Sequence, residues 1–340
     1  MTRIALAAPV RPTGGSGNDV TAARWAALLR AAGHDVEIVP VDEGDPEPDV
    51  DGLATAEVLI ALHARRVAAL VAAWRERFGS RPLVVALTGT DLYLDLSADG
   101  TARSSAARSS VATADRLIVL QAAAVARLAS FDPAWGAKAV VVHQSVDPDR
   151  LPARSPVVGE FRVVVLAHLR AVKDPLLAAT AVRRLPNDRP IVVHHAGGAV
   201  DDDWEARATA EAADNPRYVW HRELERTAAL DLLASADVLA CTSQQEGGAN
   251  VVTEALALGV PVVGTRIEGN TGLLGDDHPG LVPVGDAGAL AALFDRLLTD
   301  PAALADLANR SLARRTLTDP AIERRTLAAL VAAVTPASFR

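Results

Sequence analysis

The sequence predicts an α/β protein built from two parallel, doubly wound domains. Short apolar runs rich in Val, Ile and Leu recur along the chain and alternate with longer helical segments. This alternation is typical of parallel sheets covered by helices, which bind ligands at the carboxyl ends of their strands. At 340 residues the chain is longer than one hydrophobic core usually supports, which favours two domains.

Six predicted strands lie in the N-terminal half of the chain. We place them at residues 3–9, 36–39, 58–62, 83–87, 116–120 and 139–142. One helix is expected at about 18–32, capped by Asn18 or Asp19, and another from His63 to about Phe78. The polar clusters at 14–18, 63–66 and 88–91 each follow a predicted strand, so they are expected at the binding edge of the sheet.

The C-terminal half repeats the same organisation after a proline-bearing segment at 147–159, which we interpret as a linker. Its strands are predicted at 162–166, 191–195, 218–220, 238–241, 260–264 and 280–283. We therefore assign residues 1–155 to an N-terminal domain, 156–318 to a second domain and 319–340 to a C-terminal helix.

Composition excludes several classes of protein. A net charge of −8 and a pI near 5.5 argue against a nucleic-acid binder. No apolar run reaches the roughly 18 residues of a membrane span, and the N-terminus lacks a signal-peptide pattern. Cys241 is the single cysteine, so no internal disulfide forms, which fits a cytoplasmic location. The run Asp201 to Asp203 is interpreted as a helix cap rather than a metal motif.

The stretch from Ser243 to Thr265 carries the chemistry of the second domain. Gly247 and Gly248 follow a predicted strand and let the backbone approach a ligand, and the helix that follows presents N–H groups to an anion. Glu246 and Glu254 frame this turn, and carboxylates suit hydroxyl groups better than phosphate. The pattern thus fits a nucleotide-sugar, in which an anionic phosphate group lies between two sugars with several hydroxyl groups. The alternative is an ordinary glycine turn with two solvated glutamates.

This stretch resembles the E-x7-E region of retaining family 4 glycosyltransferases of the GT-B type. Together with residues 266–280, His63-Ala-Arg-Arg66 and Leu87-Thr-Gly-Thr-Asp-Leu-Tyr93, it is similar to a narrower family, the selenosugar synthases of selenoneine biosynthesis. The likeness runs from the glycine loop at 14–18 to about residue 300. It implies the GT-B architecture, two Rossmann-like domains facing each other across a cleft, with the last helix crossing back to the first domain.

The resemblance implies a UDP-sugar as the donor. Lys173 matches the family's lysine for the donor diphosphate, whereas His168 stands where relatives have arginine and Arg170 is a substitute candidate. Glu254 would bind the ribose hydroxyls and Glu246 the hexose hydroxyls. The remaining expected donor contacts are the backbone around the phosphate and a residue near the uracil: Gly247, Gly248, Ala249, Asn250 and Arg222.

The acceptor implied by the resemblance is selenophosphate, bound by the first domain. Because it is already anionic, it needs positive charge and N–H donors more than it needs a base. The candidate contacts are the polar residues at the strand ends and in the following helix: Gly15, Gly17, Asn18, Arg24, Arg65, Arg66, Thr88 and Thr90. His63 would orient the anion or donate a proton, and Asp91 would position an arginine. The alternatives are a solvated helix face for Arg65 and Arg66 and a structural role for His63.

The resemblance implies a transferase that forms a C–Se bond between a UDP-sugar, N-acetylglucosamine or glucose, and selenophosphate. No cofactor and no metal are expected, because basic groups and a helix N-terminus stabilise the departing diphosphate. One alternative is a conventional family 4 glycosyltransferase with a hydroxyl acceptor. The other is a non-catalytic nucleotide-sugar-binding protein. The sequence leaves the oligomeric state open.

Overall fold

A computed structural model describes residues 1–9, 17–43, 45–98 and 100–335. The chain divides into two compact units. Unit 1 comprises Met1–Ser145 and Asp319–Arg340, and unit 2 comprises Val146–Thr318. The sequence placed the first boundary ten residues later, at 155/156, whereas the structure assigns the proline-bearing segment to unit 2.

Unit 1 is built on a six-stranded sheet in which all the neighbouring strands are parallel. The strands are β1 Arg3–Pro9, β2 Asp35–Val41, β3 Val58–Leu62, β4 Leu83–Leu87, β5 Arg116–Val119 and β6 Ala139–Val141. Their order is β2-β1-β3-β4-β5-β6. Successive side chains along each strand point to opposite faces of the sheet. They therefore pack into two separate cores, one that contains Trp74 and one that contains Trp25.

Helices cover both faces of this sheet. They are α1 Gly17–Ala31, α2 Ala68–Phe78, α3 Ala102–Thr113, α4 Ala123–Phe131 and α5 Pro133–Ala137. The prediction that a helix begins at His63 is wrong, because α2 begins five residues later. His63 has φ +73°, and the N–H of Ala64 donates to the Asp91 carboxylate, so the chain turns before the helix can start.

Unit 2 contains a second six-stranded parallel sheet. Its strands are β7 Phe161–Leu166, β8 Ile191–Ala196, β9 Tyr218–Trp220, β10 Val238–Cys241, β11 Val262–Thr265 and β12 Leu281–Val282, in the order β12-β11-β10-β7-β8-β9. Strand β11 begins two residues later than expected. The N–H of Val260 donates to Ala255 O at 2.8 Å, and Gly259 has φ +70°, so both residues finish the preceding helix.

The helices of unit 2 fill the connections between these strands. They are α6 Leu177–Val182, α7 Asp202–Asp214, α8 Arg226–Ala234, α9 Asn250–Leu258, α10 Glu268–Leu274, α11 Ala287–Thr299 and α12 Pro301–Ala313. The expected helix cap is confirmed, since the Asp201 carboxylate accepts a hydrogen bond from the N–H of Trp204 at 3.0 Å.

The last helix, α13 Pro320–Val334, belongs to unit 1. Leu327, Leu330 and Val331 join the core that contains Trp25 of α1. The buried Glu323 of α13 accepts a hydrogen bond from the Trp25 indole at 2.7 Å. In the described part of the chain, no helix combines the length and the apolar character needed to cross a bilayer.

Candidate active site

A pocket lies in unit 2 at the carboxyl ends of β7 and β10. These strands are neighbours in the sheet although β8 and β9 separate them in sequence, so the chain changes its direction of winding between them. In doubly wound sheets such a switch point is where ligands bind. The pocket is lined by residues that include Ala167, Lys173, Cys241, Ser243 and Glu246.

The polar centre of this pocket is an ion pair between Lys173 and Glu246. Lys173 Nζ lies 2.5 Å from Glu246 Oε1, and the Ser243 hydroxyl donates to the same oxygen at 2.6 Å. The two charged side chains are only 19% and 11% exposed. Both are therefore held in partly desolvated positions, where an interaction with a ligand phosphate or hydroxyl is stronger than in water.

The loop that carries Lys173 is tied to the strand beside it. Lys173 ends a 3₁₀ turn, and Asp174 follows with φ +40°. The Thr242 hydroxyl bonds the carbonyls of Lys173 and Asp174 at 3.2 and 2.9 Å, and the N–H of Gln244 donates to Val172 O at 2.8 Å. These bonds fix the ammonium relative to the loop after β10.

Gly269 allows Glu246 to take its position. A Cβ at residue 269 would lie 2.3 Å from Glu246 O and 2.7 Å from Glu246 Cβ, which no side chain tolerates. Helix α10 can therefore pack against the Glu246 loop only with glycine there. This glycine belongs to the stretch 266–280 that carried the family resemblance, but sequence reasoning gave it no role.

Glu254, the second carboxylate of the motif, forms a separate ion pair. It is buried on α9, and Arg226 Nη2 at the start of α8 donates to its Oε1 at 2.7 Å. Arg226 was not among the expected site residues. The signal available in the sequence was only a basic residue near a predicted helix start, which is too common to single out. Gly247 and Gly248 precede α9, with Ala249 at its N-cap and Asn250 at its first position.

The other basic residues expected near the donor differ in their surroundings. Arg170 is half-buried, and its Nε, shielded from solvent, has no hydrogen-bond partner among the described residues. His168 is exposed. Arg222 has φ +58°, and its guanidinium lies 4.6 Å from the Trp220 ring centre and 2.6 Å from Glu205. Its side chain is thus engaged with neighbours, while its carbonyl accepts from Gly197 N–H at 2.8 Å.

A buried histidine fixes the end of β7. His195 Nε2 lies 2.8 Å from Ala167 O, so this nitrogen carries the proton, and Nδ1 accepts from the Tyr218 hydroxyl at 2.8 Å. Burial lowers the pKa of His195 to about 4, which keeps the ring neutral in this tautomer. Gly197 lies close beneath the same carbonyl, since a Cβ there would be 1.9 Å from it. The carbonyl at the pocket wall is therefore held rigidly.

In unit 1 the corresponding switch point lies between β1 and β3. Asp91, in a π-helical turn after the neighbouring strand β4, is fully buried. Its carboxylate accepts the backbone N–H groups of Ala64, Thr88, Gly89 and Leu92 at 2.8–3.2 Å. Asp91 was expected to position an arginine, but these contacts instead join the turn after β3 to the turn after β4.

Arg65 and Arg66 lie together in the turn after β3. Arg65 Nε bonds Asp95 Oδ2 at 2.9 Å, and its Nη1 bonds Glu43 Oε1. Arg66 Nε lies 3.2 Å from the other oxygen of Glu43. The two arginine side chains are 17% and 16% exposed. The structure therefore brings the two arginines together, with two carboxylates that sequence reasoning missed.

His63 lies beside the arginines and is also buried. Its Nε2 is 2.9 Å from Thr90 Oγ1, and its Nδ1 is 3.9 Å from Asp91 Oδ2. Burial lowers the pKa of His63, although the Asp91 carboxylate acts in the opposite direction. The ring is thus neutral at neutral pH, and it can orient an anion through an N–H group.

The remaining expected acceptor contacts lie on or next to α1. Arg24 Nε bonds both oxygens of the buried Glu323 at 3.1–3.2 Å, and Glu323 also accepts from Trp25 and Ser145. Gly17 O accepts from the Thr21 hydroxyl at 2.8 Å. Asn18 is partly exposed, whereas Gly15 lies outside the described residues. The contacts of Arg24 that the structure gives are thus with the α13 region.

Among the residues that the structure describes, no group of three or more His, Cys, Asp or Glu side chains has the arrangement of a metal site. The charges that line the pocket in unit 2 come from Lys173 and Glu246.

Residues 150–314 match the family model "Glycosyl transferases group 1". The chain is 29% identical over 197 residues to the D-inositol 3-phosphate glycosyltransferase of Mycobacterium tuberculosis strain F11, and 28% identical over 156 residues to that of Arthrobacter sp. strain FB24. These alignments cover 54% and 44% of this chain, but only 41% and 37% of the relatives. The chain thus matches less than half the length of the curated relatives.

Solved structures match over nearly the whole chain. The Anabaena protein HepE, solved with UDP and glucose, covers 98% of this chain with a TM-score of 0.78 at 17% identity. All of that HepE chain is covered in turn. Sucrose-phosphate synthase from Thermosynechococcus elongatus covers 98% of each chain with a TM-score of 0.74 at 16% identity. The predicted fold class, a GT-B architecture of two Rossmann-like domains, is confirmed.

Proposed function

We propose that this chain is a glycosyltransferase that moves a hexosyl group from a UDP-sugar to selenophosphate. Its product would carry a C–Se bond, as in the selenosugar synthases that the sequence resembles. The preferred sugar is N-acetylglucosamine or glucose. The observation that carries the donor half is the group formed by Lys173, Ser243 and Glu246 in a switch-point pocket of the domain that matches the family.

The proposed catalysis in this pocket is electrostatic stabilisation of the leaving group. As the bond between the anomeric carbon and the diphosphate oxygen breaks, its electron pair leaves with UDP and negative charge grows on the diphosphate. The Lys173 ammonium and the N-terminus of α9 would stabilise that charge, with Arg170 as a further cation. Glu246 would exchange its contact with Lys173 for the hexose hydroxyls, and Glu254 would bind the ribose.

The acceptor half rests on Arg65 and Arg66. Two largely buried arginine side chains in one turn suit an acceptor with several anionic oxygens, because each can present a fork of N–H donors. The selenium lone pair would attack the anomeric carbon directly, since selenophosphate is already deprotonated. Hydrolysis of the Se–P bond, in which water attacks phosphorus and the bonding electron pair leaves with selenium, would then give phosphate and the free selenosugar.

A conventional glycosyltransferase with a hydroxyl acceptor is the second candidate. One observation favours it: His63 is neutral at neutral pH, and a neutral imidazole can accept the proton of a hydroxyl. The name of the curated relatives suggests for this chain an inositol phosphate, whose phosphate the same arginine pair would bind. A third reading, a nucleotide-sugar-binding protein without catalysis, would leave Lys173 no leaving group to stabilise.

One assay separates the three candidates. UDP release would be measured from UDP-N-acetylglucosamine and UDP-glucose with selenophosphate, with inositol phosphate and with no acceptor, and products would be weighed by mass spectrometry. Release that depends on selenophosphate, with a selenium-containing sugar, supports the proposal. Release only with inositol phosphate supports the second candidate, and UDP-sugar binding without any release supports the third.

The same assay tests the expectation that no metal takes part. Activity should survive a chelator in excess. Activity that a chelator abolishes and magnesium or manganese restores would contradict a mechanism based on Lys173 and the helix N-terminus alone.

A further inference from the structure

The ion pairs of Arg65 and Arg66 extend across the switch point of unit 1. Glu43 follows the end of β2, and the arginines follow the end of β3, while β1 lies between these strands in the sheet. The Glu43 carboxylate binds both arginines, one with each oxygen. A single carboxylate thus spans the edge of the sheet at which parallel α/β domains bind their ligands.

The three side chains differ in their exposure. The side chains of Arg65 and Arg66 are 17% and 16% exposed, whereas the Glu43 side chain that pairs with them is 44% exposed. The outermost member of the cluster is therefore the anion. Moving it aside would uncover two cations that have little other access to solvent.

Asp95 provides a second and different anchor for Arg65. It is buried on the π-helical turn after β4, and it binds Arg65 through Nε, whereas Glu43 binds through Nη1. If Glu43 moved away, Asp95 would still hold Arg65 through Nε, and Nη1 of Arg65 could donate to a ligand. Arg65, Arg66, Asp95 and Glu43 balance in charge, and without Glu43 this group carries one net positive charge.

The Glu43 carboxyl group is ionised at neutral pH. Its partial burial acts to raise the pKa, but the hydrogen bond from Arg65 and the charges of Arg65 and Arg66 lower the pKa below its usual range. A carboxylate presents two oxygens to the arginines, as one edge of a phosphate group does. A dianionic phosphate offers more charge and a third oxygen, so it can compete for the same N–H donors.

We infer that Glu43 is a carboxylate gate on an oxyanion site formed by Arg65 and Arg66. A phosphate-type dianion enters this site by displacing the Glu43 side chain, which then turns to solvent. The inference rests on the proposed anionic acceptor and deepens it, since it names the internal competitor that the acceptor must replace. Weak monoanions carry no more charge than the Glu43 carboxylate, so they do not displace it and are excluded from the site.

The test is the binding of inorganic phosphate to the full chain, measured by calorimetry at low ionic strength and without a UDP-sugar. Glu43→Gln keeps the size of the side chain and removes its charge. It should tighten phosphate binding by about 3- to 10-fold, because the half-exposed competitor no longer pairs with the arginines. Acetate should bind detectably to this variant and not to the wild type.

Glu47→Gln is the matched control. Glu47 lies in the same loop after β2 and is exposed, and it loses the same charge in this variant. Its phosphate affinity should stay within about twofold of the wild type, since a screened surface charge contributes little. Adding Arg66→Gln to the Glu43→Gln chain should remove the gain, which ties the effect to this arginine.

Three results would overturn the gate. They are equal phosphate affinity in Glu43→Gln and wild type, an equal gain in Glu47→Gln, and no phosphate binding by any of these proteins. Because the measurement needs no turnover, its outcome is independent of the UDP-release assay. If Glu43→Gln tightens phosphate binding but UDP release does not depend on selenophosphate, the oxyanion site serves another acceptor. If UDP release depends on selenophosphate but Glu43→Gln does not tighten phosphate binding, the acceptor binds elsewhere.

Discussion

The two candidate sites use the same kind of ion pair in opposite ways. In unit 2 the carboxylate that binds the cation, Glu246, is more deeply buried than Lys173 and is itself expected to bind the ligand. In unit 1 the carboxylate that covers the cations, Glu43, is the exposed partner and has no expected role in the reaction. In unit 2 the carboxylate of the ion pair is thus part of the proposed binding surface. In unit 1 the carboxylate instead occupies the arginines that are proposed to bind the acceptor.

The cations differ as well. Lys173 presents a compact ammonium that can follow a leaving group as its charge grows, while two arginines present planar forks that suit an anion of fixed shape. We therefore expect substitution of Lys173 in unit 2 to act mainly on the chemical step and substitution of Arg65 or Arg66 in unit 1 to act mainly on acceptor binding. The following predictions test that division, beginning with the largest effect.

Lys173→Ala should lower kcat for UDP release by about 100- to 1,000-fold, the usual cost of removing one group that stabilises charge in the transition state. Lys138→Ala is the control, because it removes the chain's other lysine, whose ammonium binds the carbonyls of Ala112 and Ala114 in unit 1. Its kcat should stay within about twofold. A Lys173 variant with normal kcat and only a raised donor KM would break the proposed division.

Arg66→Ala should lower kcat/KM for the acceptor by about 10- to 150-fold with nearly unchanged UDP affinity, the expected cost of a charged hydrogen bond. Arg65→Ala should have a similar effect and in addition lower the free energy of unfolding by about 1–3 kcal/mol, because Asp95 would be left buried without this partner. Lysine at either position should restore only part of the activity. Unchanged acceptor kinetics in both alanine variants would remove the site from unit 1.

Glu254→Ala should weaken UDP binding by about 1–3 kcal/mol, measured by calorimetry, because the ribose loses a charged hydrogen-bond acceptor. Arg226→Ala should weaken it less, since Arg226 is 54% exposed and acts through Glu254. Glu225→Ala, an exposed neighbour with the same change of charge as Glu254→Ala, is the control. UDP affinity that is normal in Glu254→Ala would exclude this glutamate from the ribose site.

Ser243→Ala should have the smallest effect, a loss of about fivefold in kcat with UDP affinity retained. It removes one hydroxyl that orients Glu246, and such a hydrogen bond contributes about 1 kcal/mol. Ser235→Ala, which removes a hydroxyl bonded to Leu232 O at the end of α8, should leave kcat unchanged. A loss in Ser243→Ala as large as that in Lys173→Ala would mean that the hydroxyl contacts the substrate itself.

Much of the candidate site in unit 2 could be predicted from the sequence because it is local. Gly247, Gly248, Glu246 and Glu254 lie within one strand–turn–helix unit, so their spacing along the chain fixes their spacing in space. Lys173 was found through the family resemblance, and the structure places it 2.5 Å from Glu246 although 73 residues separate them.

The partners of these residues could not be found in this way. Nothing local indicates that Arg226 meets Glu254, or that Gly269 must lack a side chain for Glu246 to fit. The start of α2 was misplaced for the same reason, since the turn at His63 depends on Asp91, which is 28 residues away.

By itself, the sequence determined the two parallel sheets and the strand–turn–helix unit around Gly247 and Gly248, because hydrophobic periodicity and glycine positions act over a few residues. Only the tertiary structure decided which charges meet. Glu43 reaches Arg65 because the strand order β2-β1-β3 brings two loops to the same edge of the sheet, and Asp95 reaches it from the turn after β4. Burial then favours these pairs, because a guanidinium held away from water needs an opposite charge or hydrogen-bond acceptors beside it.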